Sequence, residues 1–150
     1  GRRIGVAPAR ALAQGRGLPL AGVPTTSALI AGIEALGRPR LAVVDARRGE
    51  VFAAIDRGDG PGDPVVAPPA ELAARLGPDG LAGSLAVGDG SVRFRSEVEA
   101  QGVEVLPASH PGHRLSARHI CSPAAGLEPG APELVVPMYL RRPDAKRWQP

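Results

Sequence analysis

The sequence predicts an α/β protein with mixed strand pairing, on three observations. Short Val-, Ala- and Leu-rich runs ("RLAVVDA", "EVFAAI", "GSLAVG", "VEVLP", "ELVVPMYL") alternate with segments of helical apolar spacing. Two of those runs are separated only by Arg47-Arg48-Gly49, which reads as an antiparallel hairpin. No fixed-period repeat is present.

The elements follow in order. "RRIGVAPARALAQGRG" places Ile4, Val6, Ala7, Ala11, Leu12 and Ala13 at helical spacing, with Gly15 or Gly17 as the stop. Pro8 is harmless in a first turn and kinks the helix if it lies deeper. "LPLAGVP" predicts a short strand. "TTSALIAGIEALG" predicts a helix capped by Thr25 or Thr26, with Leu29, Ile30, Ile33 and Leu36 inward and Gly37 as its end. The hairpin strands run from about residue 40 to Asp45 and from Glu50 to about Ile55. "GDGPGDP" is a flexible connection. "APPAELAARLG" predicts a short helix facing inward through Leu72 and Leu76. "SLAVGDG" is a strand entering a glycine turn, "SVRFRSEVEAQG" a helix, and "VEVLP" a strand. "HRLSARHICSPAAGLEPG" is helical in part, with Pro123 as a disruption. "ELVVPMYLRR" closes the chain as a strand that puts Val135 and Tyr139 on one face, with Tyr139 in the core.

Composition narrows the class. At 150 residues the chain is one domain, or one domain and a piece of another. It is 43% apolar but only 3% aromatic, so its core rests on Ala, Val and Leu. One cysteine, Cys121, excludes an intrachain disulfide framework. No apolar run reaches transmembrane length and no secretory signal is visible, which implies a cytoplasmic protein. Residues 1–44 carry six Arg against one Glu, residues 45–104 eleven acids against six Arg, and the rest six basic residues against three acids. That unevenness reads first as solvated surface.

Four motifs bear on chemistry. "VVDARRGEV" puts Asp45 at a strand end and Gly49 in the turn after it, an arrangement that can cradle phosphate with backbone amides. Its bulky arginines leave few close-approaching N–H groups, so a plain hairpin with Asp45 capping or salt-bridging is the simpler reading. "VGDG" could face phosphate through Gly88 and Gly90, but lacks the full glycine fingerprint; a tight turn capped by Asp89 or Ser91 is simpler. His110, His113, His119 and Cys121 are zinc-ligand types at spacings that match no standard finger. The tail gathers the only Met (Met138), Tyr (Tyr139), Lys (Lys146) and Trp (Trp148). No serine nucleophile elbow, Walker lysine or pair of catalytic acids stands out. A binding or scaffold role is thereby favoured over an enzyme.

The first block, "GRRIGVAPARALAQGRGLPLAGVPTTSAL", the hairpin "LAVVDARRGEVFAA" and the closing "VPMYLRRPDA" together resemble the TsaB (YeaZ) family. The resemblance implies the actin-like/sugar-kinase ATPase superfamily, with RNase H-like lobes of mixed sheet and flanking helices and an incomplete first lobe. Residues 1–38 would be the remainder of that lobe, 39–143 the second lobe, and 144–150 a basic tail. Relative to the family, the opening strands, the first long helix and a Gly-rich turn are expected upstream of Gly1.

The resemblance implies a non-catalytic subunit of the complex that transfers a threonylcarbamoyl group to the N6 amine of the adenosine beside the anticodon. Its partner would be the catalytic TsaD, with TsaE in the larger complex, a homodimer through the same surface, and tRNA reached indirectly. ATP and a metal ion would belong to the partner subunits, with none held by this chain. Arg3, Ile4, Ala7, Ala11 and Gln14 would carry partner binding, their alanines allowing close helix approach. Arg141 would pair with a carbonyl or an acid in its own lobe, and Trp148 would dock on that lobe or on a partner. Departures from the family pattern are Pro8, Ala11 in place of Gly, the doubled Arg2-Arg3, and Pro123. The alternatives are a nucleotide-binding ATPase or sugar-kinase-like enzyme, and a peptidase.

Overall fold

The computed structural model describes residues 2–77 and 79–140, with side chains from residue 5 onward. The expectations for Arg141 and Trp148 lie outside the described residues.

Helix α1 (Arg2–Arg16) runs through Pro8 without a break. A single pair, Leu20 with Gly130, replaces the strand expected over "LPLAGVP". Its two N–H···O bonds are 2.8 and 3.0 Å, and the ladder stops there. Helix α2 (Thr25–Ile30) begins without a side-chain cap and ends well before Leu36, which is 74% exposed. Arg40 Nη1 donates to the carbonyl oxygens of Ile33 (3.1 Å) and Ile30 (3.4 Å), which satisfies acceptors left over at that end.

The hairpin forms as expected from strands β1 (Arg40–Arg47) and β2 (Glu50–Asp56). A short strand that the sequence reading missed, β3 (Val65–Ala67), pairs with β2. Helix α3 (Leu72–Leu76) follows, and then strand β4 (Leu85–Val87). The helix expected over 91–102 is two short ones, α4 (Asp89–Arg93) and α5 (Arg95–Glu99). The break at Phe94 lets its ring pack on the core beside buried Val98. Strand β5 (Glu104–Val105) and helix α6 (Ala117–Ala124), with Pro123 in its last turn, complete the elements. Among the described residues the expected final strand does not form: Pro132–Leu134 makes a 3₁₀ turn, and no described strand pairs with the segment after it. Tyr139 is 63% exposed rather than buried in the core.

The sheet order is β3-β2-β1-β4-β5. β1 is antiparallel to β2 and parallel to β4, which is parallel to β5. This is the mixed sheet of an actin-like α/β fold. Strand alternation divides its core between two faces. Leu41 and Val43 face a cluster with Val51, Ala53, Ile55, Leu72, Leu81 and Val98. Ala42 and Ala54 face Leu29, Ile30 and Ile33 from α2, with Leu85 and Val87. Small side chains on that second face let α2 lie close to the sheet.

One buried ion pair fixes that helix to the sheet. Arg40 Nη2 meets Asp56 Oδ2 at 2.5 Å, and the Asp56 side chain is 3% exposed. Asp56 Oδ1 also accepts from the N–H groups of Gly58 and Gly60 at 2.8 and 3.1 Å. Burial pushes the Asp56 pKa up, but the Gly58 N–H, the Arg40 guanidinium and the Gly60 N–H together pull it below the ordinary 3.8. A lowered pKa gives stability that is present above 3.8 and lost as pH falls through the folded value. Asp56→Asn is expected to cost about 2–4 kcal/mol near neutral pH, because it leaves Arg40 without its countercharge. Urea unfolding across pH should also show a shallower loss of stability below 3.8 for the variant than for the parent.

Candidate functional site

The residues singled out at the hairpin and at the glycine turn meet at one end of the sheet. β1 ends beside the turn where β4 passes into α4, because β4 pairs in parallel with β1 only through Ala42–Val87. The chain then crosses close over β1.

That crossing explains Gly88 and Gly90. A Cβ on Gly88 would lie 2.1 Å from the Val43 oxygen, and the Gly88 φ of +105° already disfavours any other residue. A Cβ on Gly90 would lie 2.9 Å from Asp45 N and Val44 C. Both glycines therefore serve backbone contact. The Gly88 N–H is engaged as well: it donates to His113 Nδ1 at 3.1 Å. His113 Nε2 lies 3.0 Å from the Pro107 oxygen. With its proton on Nε2 the ring donates to Pro107 and accepts the Gly88 N–H; Nδ1 also lies 3.2 Å from the Gly88 oxygen, which a proton on Nδ1 would serve instead. His113 thus ties the turn before α4 to the loop after β5.

Asp45 is the charged centre of the site, and its side chain is 6% exposed. Its Oδ2 meets Arg93 Nη1 at 2.8 Å and Arg47 Nη1 at 3.4 Å. Its Oδ1 accepts the Arg47 N–H at 2.7 Å. The Asp45 N–H donates to Asp89 Oδ1 at 3.1 Å. Asp45 is thus salt-bridged, as the simpler reading had it. Asp89 bonds to β1 instead of capping α4, and Ser91 Oγ donates to the Gly88 oxygen at 2.8 Å. Neither residue is the cap expected of it.

The hairpin tip itself is bent. Arg47, Arg48 and Gly49 all have positive φ (67°, 58° and 75°), and the register shifts between Asp45 and Arg47. This combines a bulge with a two-residue turn of the kind that usually carries Asn-Gly.

Of the four zinc-ligand types, His110 and His113 meet edge to face, with ring centroids 6.4 Å apart. Among the described residues no group of three or more His, Cys, Asp or Glu is placed to hold a metal ion. His110 Nδ1 accepts from the Gly112 N–H. His119 packs against Gly32. Cys121 is exposed.

On α1, Ala7, Ala11 and Gln14 are exposed, as are Gly15 and Leu12, the last at 67%. Ala13 is buried, on the side of the helix that meets the Pro132–Leu134 turn. Arg3 and Ile4 lie in α1, with side chains outside those described. Beside α1 lies an apolar cleft of about 1240 Å³ that sequence reasoning did not find. Gly5, Val6 and Ala9, residues 20–26 and residues 134–140 line it, together with Asp45 and Phe52. Its walls come from segments far apart in the chain, so no local pattern announces it.

The family model described as TsaD, tRNA N6-adenosine threonylcarbamoyltransferase, matches residues 1–107. No curated protein matches the chain. Among solved structures, an uncharacterized protein of Pseudomonas aeruginosa with similarity to peptidase YEAZ aligns at a TM-score of 0.74 and 25% identity, over 93% of this chain and 67% of that one. YeaZ of Pseudomonas aeruginosa aligns at a TM-score of 0.67 and 22% identity, over 91% of this chain and 67% of that one, which bears on the fold. No described helix is long and apolar enough to cross a membrane.

Gly88→Ala is expected to destabilise the fold by more than about 3 kcal/mol, and Gly90→Ala by about 2 kcal/mol, since backbone atoms cannot retreat from the added methyl. Chemical denaturation measures both. Losses under 0.5 kcal/mol would show that the crossing over β1 is looser than described.

Proposed function

We propose, from the fact that this chain belongs to the TsaD family and is YeaZ-like within it, that it serves tRNA N6-adenosine threonylcarbamoylation as a non-catalytic subunit. Its task is to bind and activate a catalytic TsaD. One observation carries the non-catalytic reading. The end of the sheet where a phosphate-binding turn would have to work is occupied by the chain's own contacts. Asp45 is engaged by two arginines, and the Gly88 N–H by His113. A nucleotide would have to compete with these contacts for the Asp45 carboxylate and the Gly88 N–H.

The partner surface we infer is the exposed side of α1. Ala7, Ala11 and Gly15 follow one another at four-residue spacing on that side, all exposed. Small residues in such a row let a second helix approach closely, and an aliphatic neighbour such as Leu12 adds area to bury. Arg3, Ile4 and Gln14 extend the same proposal along the helix. A second copy of this chain could use the surface in place of TsaD. ATP and a metal ion act in the partner subunits, TsaE joins the larger assembly, and tRNA is reached through TsaD. The setting we propose is the cytoplasm.

Mixing the chain with TsaD is expected to give a heterodimer by size-exclusion chromatography and to raise threonylcarbamoyl transfer to tRNA. Ala7→Glu and Ala11→Glu, both at exposed positions, should weaken that heterodimer at least tenfold while leaving the unfolding midpoint within a degree or two. Titration calorimetry of the chain alone with ATP and magnesium should show no binding. Tight binding would favour a nucleotide-hydrolysing or sugar-kinase-like enzyme instead.

A further inference from the structure

The parallel ladder between β4 and β5 opens at its end, and an imidazole fills the opening. The Glu104 N–H donates to the Ser84 oxygen at 2.9 Å, and the Leu106 N–H to the Ala86 oxygen at 3.2 Å. Continued by one step, the ladder would bring the Gly88 N–H to the Leu106 oxygen. His113 lies between them instead. Its Nδ1 is 3.1 Å from the Gly88 nitrogen, and its Nε2 is 3.3 Å from the Leu106 oxygen. Gly88 is buried, and among the described residues its N–H meets no other acceptor.

The two ring nitrogens have different surroundings. Nε2 meets two carbonyl oxygens, Pro107 at 3.0 Å and Leu106 at 3.3 Å. A proton there is satisfied whether the ring is neutral or charged. Nδ1 meets both polar groups of a single residue, the Gly88 nitrogen at 3.1 Å and the Gly88 oxygen at 3.2 Å. A bare Nδ1 accepts the N–H. A protonated Nδ1 cannot, and donates to the oxygen. That oxygen already accepts from Ser91 Oγ at 2.8 Å, and a carbonyl has a second lone pair to offer. The two distances are so close that the proton, rather than a movement of the ring, decides which bond is made.

Among the described residues no carboxylate is bonded to the ring. Helix α2, whose Leu29 reaches Gly88, carries no ionisable side chain, and neither does the stretch 106–109. Asp89 and Arg93 on α4 are engaged by Asp45. His110 meets the ring edge to face, with its Nδ1 accepting the Gly112 N–H. Glu34 and Arg114 are exposed.

We propose that His113 is a pH-operated hydrogen-bond exchange at the end of the β4–β5 ladder. The neutral ring completes the open rung by accepting the Gly88 N–H. Protonation from solvent makes Nδ1 a donor to the Gly88 oxygen and leaves the buried Gly88 N–H without an acceptor. A charge-assisted bond is gained as a backbone bond is lost, so the turn into α4 changes its bonding while the sheet stays intact. The device acts where Gly88 fixes the path of α4 over β1. It does not depend on the subunit role proposed above.

The test is nuclear magnetic resonance on the whole chain, labelled with nitrogen-15. A scalar coupling across the hydrogen bond, between the Gly88 amide nitrogen and His113 Nδ1, is expected at about pH 8. It should be lost at about pH 5, where the ring nitrogen shifts report a charged imidazole, and the Gly88 amide proton should move upfield. His113→Gln should abolish that pH step at Gly88, and His110→Gln should leave it. Absence of the coupling at the higher pH, or its persistence once the ring is charged, overturns the proposal. So does a ring that stays neutral throughout, or a Gly88 step that survives in His113→Gln. The measurement on the parent chain decides even if a variant fails to fold.

Discussion

The backbone-to-backbone approach of the Gly88–Gly90 turn to strand β1 is the constraint on which the charged end of the sheet depends. β4 pairs with β1 for three residues and must then leave the sheet. It leaves by passing α4 directly over Val43, Val44 and Asp45, a path that side chains at 88 and 90 would close. With that path fixed, Arg93 on α4 reaches Asp45, and Asp89 reaches the Asp45 N–H. His113 then locks the turn from the other side, with one ring nitrogen on Gly88 and the other on Pro107. The glycines look like a phosphate motif in the sequence because phosphate loops and tight strand-to-helix crossings need the same thing, a missing Cβ. Only the position of β1 distinguishes them.

The fold was most legible where short-range chemistry and tertiary packing agree. The hairpin is the clearest case. Its strands alternate Leu41 and Val43 toward one face and Ala42 toward the other, and the turn glycine stands where a positive φ is required. The start of α2 and the interior Leu29, Ile30 and Ile33 were legible for the same reason. The errors came from partners remote in sequence. Helical spacing continues to Leu36, but the helix ends at Ile30 and Arg40, from β1, meets the carbonyls of Ile30 and Ile33. "ELVVPMYL" has the composition of a strand, yet the described sheet ends at β3 and β5 and offers it no neighbour. Strand propensity states what a segment fits, and without a partner strand it remains unpaired. β3 was missed because Val65-Val66, a β-branched pair between Pro64 and Pro68, is too short to announce itself by alternation.

The site was legible only in part. Asp45 as a salt-bridging residue followed from its place at the end of a strand beside an arginine-rich turn. Which arginines it would meet did not follow, since Arg93 lies 48 residues further on. The histidines illustrate the converse. Their spacing in the sequence is suggestive, but folding sends His113 to the α4 turn, His110 to its own 3₁₀ turn and His119 against α2. His110 and His113 do meet edge to face, with ring centroids 6.4 Å apart, but among the described residues no third ligand joins them, so closeness along the chain did not make a metal site.

The two arginines at the hairpin tip bring these points together. A left-handed conformation costs an ordinary residue about 1–2 kcal/mol, and a turn of this shape is easiest for Asn or Gly. Arg47 and Arg48 adopt it nonetheless. The compensation at Arg47 is visible: the Asp45 carboxylate accepts its N–H at 2.7 Å, a charge-assisted bond stronger than an ordinary one. That carboxylate is held in place by Arg93, and Arg93 is held there by the crossing at Gly88 and Gly90. A neutral side chain at 45 would therefore weaken the tip twice, by releasing the bulge and by leaving Arg93 without its partner. The turn tolerates its unusual residues because a contact 48 residues away in sequence holds the Asp45 carboxylate in place. The same contact joins the hairpin to α4, so one ion pair serves both the turn and the crossing.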